Sequence, residues 1–504
     1  MAQQDDQLHF ILVPLMAQGH MIPIVDMARM FSRRDIVVTI VTTPLNNLRF
    51  KSIIDGASDL PIRTLQFYFP SVEVGLPEGC ENLDSIPSRG LASNFFVATS
   101  MLQKPLEQSL AEMKPKPSCI ISDFYLPWTC QTAQKFDIPR LVFHGTSCFS
   151  LLCTHNLHHC KVLESVNVDL EQLVLPGLPD SIEIAMSCLP EEFNKKSIHD
   201  TKGLHDQIEE AESTSYGVVL NSFYDLESLY IERYQIAKQC KAWFVGPVSL
   251  YNTEVTDKME RGGKASINVE HCLKWLDLRK PQSVVYVCLG SLCRLKSEQF
   301  IEIGLGLEAT NCSFIWVIKC GERYKELEKW LFEEAFEERT KDRGLVIRGW
   351  APQVLILSHQ AIGGFITHCG WNSTLEGMCA GVPLITWPMF SEQFLNEKLV
   401  VNVLKIGIPV GVSGPVRWGE EDRVGVLVRK EEINKAVRKL MHEDDEGQER
   451  RKRTKDFAKM AKEAMEEGGS SYLSMTLMIQ DIKNQANKKA FIPQKQNNVR
   501  DMQH

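Results

Sequence analysis

His20 follows Gly19 in the run PLMAQGH, where an apolar strand gives way to a helix. An imidazole at such a turn can take a proton near neutral pH. Asp123 closes the apolar run Cys119–Asp123, a predicted strand of the same sheet. Each residue alone has an ordinary explanation: a polar side chain beside a helix start, and a helix cap. As a pair on one sheet edge they make a base and the carboxylate that orients it, a hydrolase triad without its serine. Spacing alone does not establish that the two side chains meet.

A denser set of candidates lies in WAPQVLILSHQAIGGFITHCGWNSTLEGMCAGVPLITWPMFSEQ, Trp350 to Gln393. Ile362–Thr367 reads as a buried parallel strand, followed by the turn His368-Cys369-Gly370 and a helix from Trp371 to about Ala380. Asn372, Ser373 and Thr374 are residue types that cap helix starts. A strand, a glycine turn and a capped helix make an anion site, because free N–H groups and the helix dipole point above the turn. His368 stands at the carboxyl end of the strand, where α/β proteins bind ligands. Glu376, one turn into the helix, can accept from a ribose diol, and Trp350 offers a flat face to a base. Glu392 and Gln393 put an acceptor and an amide within reach of a polyhydroxyl group. Together these residues describe a nucleotide-sugar site along the strand ends. Ser291, after Gly290 at the end of the strand Val284–Leu289, is either a phosphate donor or a simple turn serine.

The elements that must position them alternate. Strands are expected at Leu8–Pro14, Val37–Thr42, Ile62–Phe69, Cys119–Asp123, Leu141–His144 and Gly217–Asn221 in the first half. In the second half they fall at Val284–Leu289, Phe314–Ile318, Leu345–Arg348, Ile362–Thr367, Leu384–Trp387 and Ile408–Val412. Helical stretches between them predict doubly wound parallel sheets. Ser71–Gly90 reads as a long loop, and Thr253–Ser266 as a mobile polar linker. Gly304-Leu305-Gly306 fits a dinucleotide pattern but falls inside a helical period, Ser297–Ala309, so close helix packing explains it better. His155 and His159 have a helical metal-ligand spacing. No second ligand cluster lies at a telling distance, so a helix beside the substrate pocket is the preferred reading.

The Trp350–Gln393 run resembles, almost without gaps, the signature box of plant UDP-dependent glycosyltransferases acting on small secondary metabolites, and the likeness extends from the QGH turn to the final helix. It implies a GT-B fold of two facing Rossmann-like domains. Residues 1–250 would be the acceptor-binding domain, 251–266 the linker and 267–470 the UDP-sugar domain. A helix over 471–483 would return to the first domain, and 484–504 would form a polar tail. It further implies His20 as catalytic base with Asp123 as partner. Trp350 and Ala351 would border the uracil, Gln353 contact the uridine and Glu376 the ribose. Ser291, His368, Asn372 and Ser373 would hold the diphosphate, and Trp371, Glu392 and Gln393 the sugar. Gln393 at the end of the box goes with glucose, where a His goes with galactose. The chain departs from the pattern at Cys288-Leu289, commonly Ser-Phe, and at His144-Gly145, where some members place a sugar-contacting Thr. The implied reaction is an inverting transfer from UDP-glucose to a hydroxyl or carboxyl of a lipophilic plant metabolite, a triterpenoid first and a flavonoid or hormone as the alternative. UDP-glucose is a co-substrate; no cofactor or metal is expected.

Composition narrows the rest. A chain of 504 residues exceeds one typical core. Its net charge of −8 argues against nucleic acid or an anionic membrane as partner. No window reaches the roughly 20 apolar residues of a membrane span, and the amino-terminal apolar run is too short for a signal peptide. Fifteen cysteines scattered through apolar segments fit reduced thiols, hence a cytoplasmic protein; a monomer is expected. A nicotinamide oxidoreductase would need a Gly-rich first turn, and PLMAQGH has one glycine. A catalytically silent UDP-sugar binder would be expected to lose His20 or Asp123.

Overall fold

The short apolar runs of the sequence, three to six residues each, form two separate parallel sheets. In the first, β1 (His9–Val13), β2 (Val37–Thr42), β3 (Ile62–Gln66), β4 (Cys119–Asp123) and β5 (Arg140–His144) are joined, beyond a small antiparallel hairpin of β6 (Gln172–Val174) and β7 (Glu183–Ala185), by β8 (Gly217–Leu220) and β9 (Ala242–Phe244). Their spatial order is β3-β2-β1-β4-β5-β8-β9. The second sheet contains β10 (Val284–Cys288), β11 (Ser313–Ile318), β12 (Gly344–Arg348), β13 (Ile362–Thr367), β14 (Leu384–Thr386) and β15 (Gly407–Pro409), in the order β12-β11-β10-β13-β14-β15. This computed structural model describes residues 7–160, 172–193, 198–412, 414–416, 418–421 and 424–490; most of the polar tail expected over 484–504 lies outside them.

Register puts the chemistry together. β1 pairs with β4 so that Val13 stands opposite Ser122, which brings the turn after β1 beside Asp123. β10 pairs with β13 so that Cys288 faces Thr367, setting the Gly290-Ser291 turn next to His368. β1, β4, β13 and β14 are buried along their whole length, as expected of strands covered on both faces.

Several expected elements are reshaped. Before β4 the chain forms two successive helices, Ala92–Met101 and Gln103–Glu112, and between β11 and β12 the helical stretch is interrupted at Ala335, whose φ is 45°. The Ser71–Gly90 loop carries short 3₁₀ turns at Val72–Val74 and Leu83–Ser85. Within Thr253–Ser266 the chain forms a helix, Val255–Glu260, and then buries Arg261, so the segment is not the loose polar tether its composition suggests. Gly304 and Gly306 do lie inside a helix, Ser297–Thr310; a Cβ on Gly306 would stand 2.8 Å from Ile433 Cβ, so close packing accounts for them. The final helix runs Ser470–Ala490, past the expected end at residue 483, and lays Met475, Met478 and Ile482 into the core of the first sheet. Ser474 Oγ accepts from the Phe244 amide at 2.9 Å, and Tyr216 donates to Asp481 at 2.8 Å.

All fifteen cysteines are free thiols. No helix among the described residues is long and apolar enough to cross a membrane.

Candidate active site

The helix after β1 begins at Gln18, earlier than a turn through His20 would allow, so His20 sits in its first turn. From there Nδ1 reaches Asp123 Oδ2 at 2.6 Å. Asp123 is fully buried, and its Oδ1 accepts the Tyr125 amide at 3.0 Å. Both carboxylate oxygens are thus engaged, and the imidazole is fixed with Nε2 left over. The His20 side chain is 25% exposed. Burial alone would push its pKa down; the Asp123 charge and hydrogen bond, helped by Glu392, reverse this and leave it raised above the ordinary value of 6.5. Phe124 and Tyr125 ring this histidine, with centroids at 6.3 and 5.9 Å.

His20 opens into a cavity of about 570 Å³ between the two sheets. Its other walls include Ser291, Trp350, Ala351, Gln353, His368, Trp371, Asn372, Ser373, Glu376, Glu392 and Gln393, every second-domain residue to which the resemblance assigns a donor contact.

His368 lies between two glycines. A Cβ at Gly290, where φ is +81°, would fall 2.5 Å from the imidazole Cε1, and one at Gly370 would collide with Nε2. The ring's Nδ1 is buried without a protein partner. Burial, with Lys319 adding to it, lowers the pKa of His368 to about 4. A ring so shifted is neutral at physiological pH and can offer hydrogen bonds rather than charge.

The helix above this turn, Trp371–Cys379, has Gly370 as its N-cap and no side-chain cap. Asn372 and Ser373 are spent elsewhere, which corrects the expected capping role. The N–H groups of the first turn, which no helix can satisfy internally, are therefore left without a side-chain cap. Asn372 Nδ2 crosses the cleft to the Gly19 carbonyl at 2.6 Å. That carbonyl is available because Pro23, four residues on, has no N–H to give it. Ser373 Oγ accepts from Gln353 Nε2 at 3.0 Å, and the same amide donates to Glu376 Oε2 at 2.7 Å. Trp371 is 2% exposed and its indole N–H donates to the Asn221 carbonyl across the domains at 2.7 Å. Gln393 Oε1 accepts the amides of Met389 (2.9 Å) and Phe390 (3.3 Å), which aims its NH₂ elsewhere.

Four cations on the cavity wall were not singled out by sequence, Arg49, Lys258, Arg261 and Lys319, and the last two bond groups of the site itself. Lys319 donates to the Ser291 carbonyl; its position just past β11, on the ligand-binding edge, was a usable signal. Arg261 binds Asp26 and Glu376 and had no such signal. His144, at the site of the departed threonine, stacks on Phe124 and bonds Glu212 at 2.9 Å, while Gly145 faces the cavity. The rings of His155 and His159 lie against one another with centroids 4.2 Å apart and planes inclined by 34°, and no group of three or more metal-ligating side chains occurs among the described residues.

Two family models match the chain: a glycosyltransferase N-terminal domain over residues 6–250, and UDP-glucuronosyl and UDP-glucosyl transferase over 271–407. UDP-glycosyltransferase 73C3 of Arabidopsis thaliana is 52% identical over 478 residues, 94% of this chain and 96% of that one. The chain belongs to the plant UDP-glycosyltransferases. UDP-glycosyltransferase 73C11 of Barbarea vulgaris is 51% identical over 479 residues, again 94% and 96% of the two chains. Among solved structures of this glycosyltransferase family, Glycyrrhiza uralensis UGT73P12, complexed with glycyrrhetinic acid 3-O-monoglucuronide, superposes with TM-score 0.88 at 38% identity, covering 96% of this chain and 97% of that one. Arabidopsis thaliana UGT89C1, complexed with UDP, gives 0.73 at 29% identity, covering 95% and 100%. The two parallel sheets are the GT-B arrangement, and the chain is an enzyme that transfers a sugar from a UDP donor.

Proposed function

We propose that this glycosyltransferase moves glucose from UDP-glucose to a hydroxyl of a lipophilic plant metabolite with inversion, forming a β-O-glucoside. The observation that carries this reading is the 2.6 Å His20–Asp123 pair, set in one wall of a cavity whose opposite wall holds Trp350, His368 and Glu376. His20 Nε2 takes the acceptor proton as the acceptor oxygen attacks the anomeric carbon from the face away from UDP. The glycosidic bond to the diphosphate breaks and its electron pair leaves with UDP. Asp123 holds the tautomer and offsets the imidazolium charge.

Trp350 and Ala351 border the uracil, Gln353 and Glu376 the ribose. Ser291, neutral His368 and the open N–H groups at Asn372 and Ser373 receive the developing diphosphate charge. The proposed route assigns no step to a metal ion, so turnover is expected to survive a chelator. Glu392 and the free amide of Gln393 hold the glucose, with Trp371 forming the floor.

For the acceptor, the rings of Phe96, Phe124 and Tyr125 cluster near His20 and offer apolar surface. A triterpenoid is favoured because the Glycyrrhiza protein, similar over nearly the whole chain, was solved with a triterpenoid glycoside. UGT89C1 was also solved with quercetin, which keeps a flavonoid as the second choice. Incubation with UDP-glucose and a panel of aglycones, read by UDP release and product mass, tests the reading. No UDP released with any acceptor would favour a silent binding protein instead.

A further inference from the structure

Arg261 sits in the polar, glycine-bearing segment between the domains, where a charged side chain would ordinarily face water. It is only 7% exposed. Its guanidinium lies between the helix that carries His20 and the helix that carries Glu376. Nε donates to Asp26 Oδ2 at 2.9 Å, and Nη1 donates to Glu376 Oε1. Asp26 Oδ1 accepts from Asn252 at 2.8 Å, and Glu376 Oε2 from Gln353 at 2.7 Å. The backbone is pinned as well. The Arg261 carbonyl accepts the Trp350 indole N–H at 3.3 Å, and the Gly262 carbonyl accepts from Gln18. Gly262, at φ +81°, passes so close to the Trp350 ring and Ile22 that a side chain there would collide with both. Arg261 therefore touches both domains and borders the donor cavity.

We propose that Arg261 is a positioning residue for the nucleotide half of the donor. It presets the Glu376 carboxylate to receive the ribose hydroxyls and, through Asp26, ties that setting to the helix bearing the base. This rests on the reading of Glu376 as the ribose acceptor. A carboxylate offers about four acceptor positions. Arg261 and Gln353 occupy one on each oxygen, which leaves one on each oxygen for the two hydroxyls of a diol. A carboxylate already held in place loses no rotational freedom when the ligand arrives. The planar fork of arginine suits two carboxylates at once in a way a lysine ammonium does not.

The test compares the affinities of UDP and 2′-deoxy-UDP by titration calorimetry, together with kcat and KM for UDP-glucose. Removing one of two hydroxyl contacts to a fixed carboxylate should weaken binding to the native protein about tenfold. E376Q examines the underlying reading: if it discriminates the two nucleotides as the native protein does, that reading fails, whatever Arg261 does. R261M leaves Asp26 and Glu376 without their shared cation, so D26N/R261M is made alongside it to relieve the imbalance, and R261K keeps the charge without the fork. The inference expects discrimination to fall toward unity in D26N/R261M and to drop measurably in R261K, with KM for UDP-glucose raised more than kcat is lowered. With E376Q impaired, native discrimination in D26N/R261M or in R261K overturns the inference. So does an equal weakening of both nucleotides, which is what a purely structural role would give.

Discussion

Asp123 Oδ2 lies 2.6 Å from His20 Nδ1, although 103 residues separate them in the chain. The carboxylate raises the pKa of the imidazole above 6.5 against the opposing effect of burial. A base must be unprotonated to act, so kcat/KM should fall as pH drops through that raised value, about tenfold per unit. Asp123→Asn removes the raising influence and should shift this limb toward acid while lowering the plateau by about 10²–10⁴-fold. His20→Ala should abolish O-glucosylation and leave UDP binding intact. Near-native turnover in His20→Ala would remove the base from the account.

His368 should contribute no titration between pH 5 and 8, since its pKa is held near 4. Its dependence is steric instead. Gly370 has φ −58°, which any residue tolerates, so Gly370→Ala strains no backbone and acts on the imidazole alone. We expect kcat to drop about 10²-fold, the cost of displacing one donor to a developing oxyanion. In the background of His368→Ala, the same change should cost little more. Additive losses in the double variant would mean the glycine serves something other than the ring.

Gln393 fixes its carbonyl oxygen on two backbone amides and so presents only its NH₂. Gln393→His should move the preference from UDP-glucose toward UDP-galactose by about 1–3 kcal/mol in transition-state binding. Competition between the two donors measures this directly, and an unchanged ratio removes Gln393 from sugar selection.

Met478 is fully buried in the core of the first sheet, though it lies on the last helix of the chain. Met478→Ala should destabilise the first domain by about 2–5 kcal/mol. Thermal melting should report this, while KM for UDP-glucose at low temperature stays native.

The strands that carry the site were legible because they are short, mostly apolar and bounded by turns. Cys119–Asp123 and Ile362–Thr367 fall where the sequence puts them, and each delivers its polar residue to a strand end. β9, three residues long, was too short to register, and the β6–β7 hairpin lay hidden in a turn-rich stretch. The role of Asn372 was misjudged for a different reason. A capping residue type says where a side chain can bond locally, and here a partner 353 residues away wins. Arg261 was invisible on the same grounds: its carboxylates stand 235 and 115 residues distant. Composition can mark such a residue as charged but not as buried.

Pro23, by withholding an amide, leaves the Gly19 carbonyl to Asn372, and the next residue in the chain is His20. Breaking that one hydrogen bond would leave the imidazole still aligned by Asp123, so the tether governs where the start of the Trp371–Cys379 helix lies relative to the base, not the pose of the base itself.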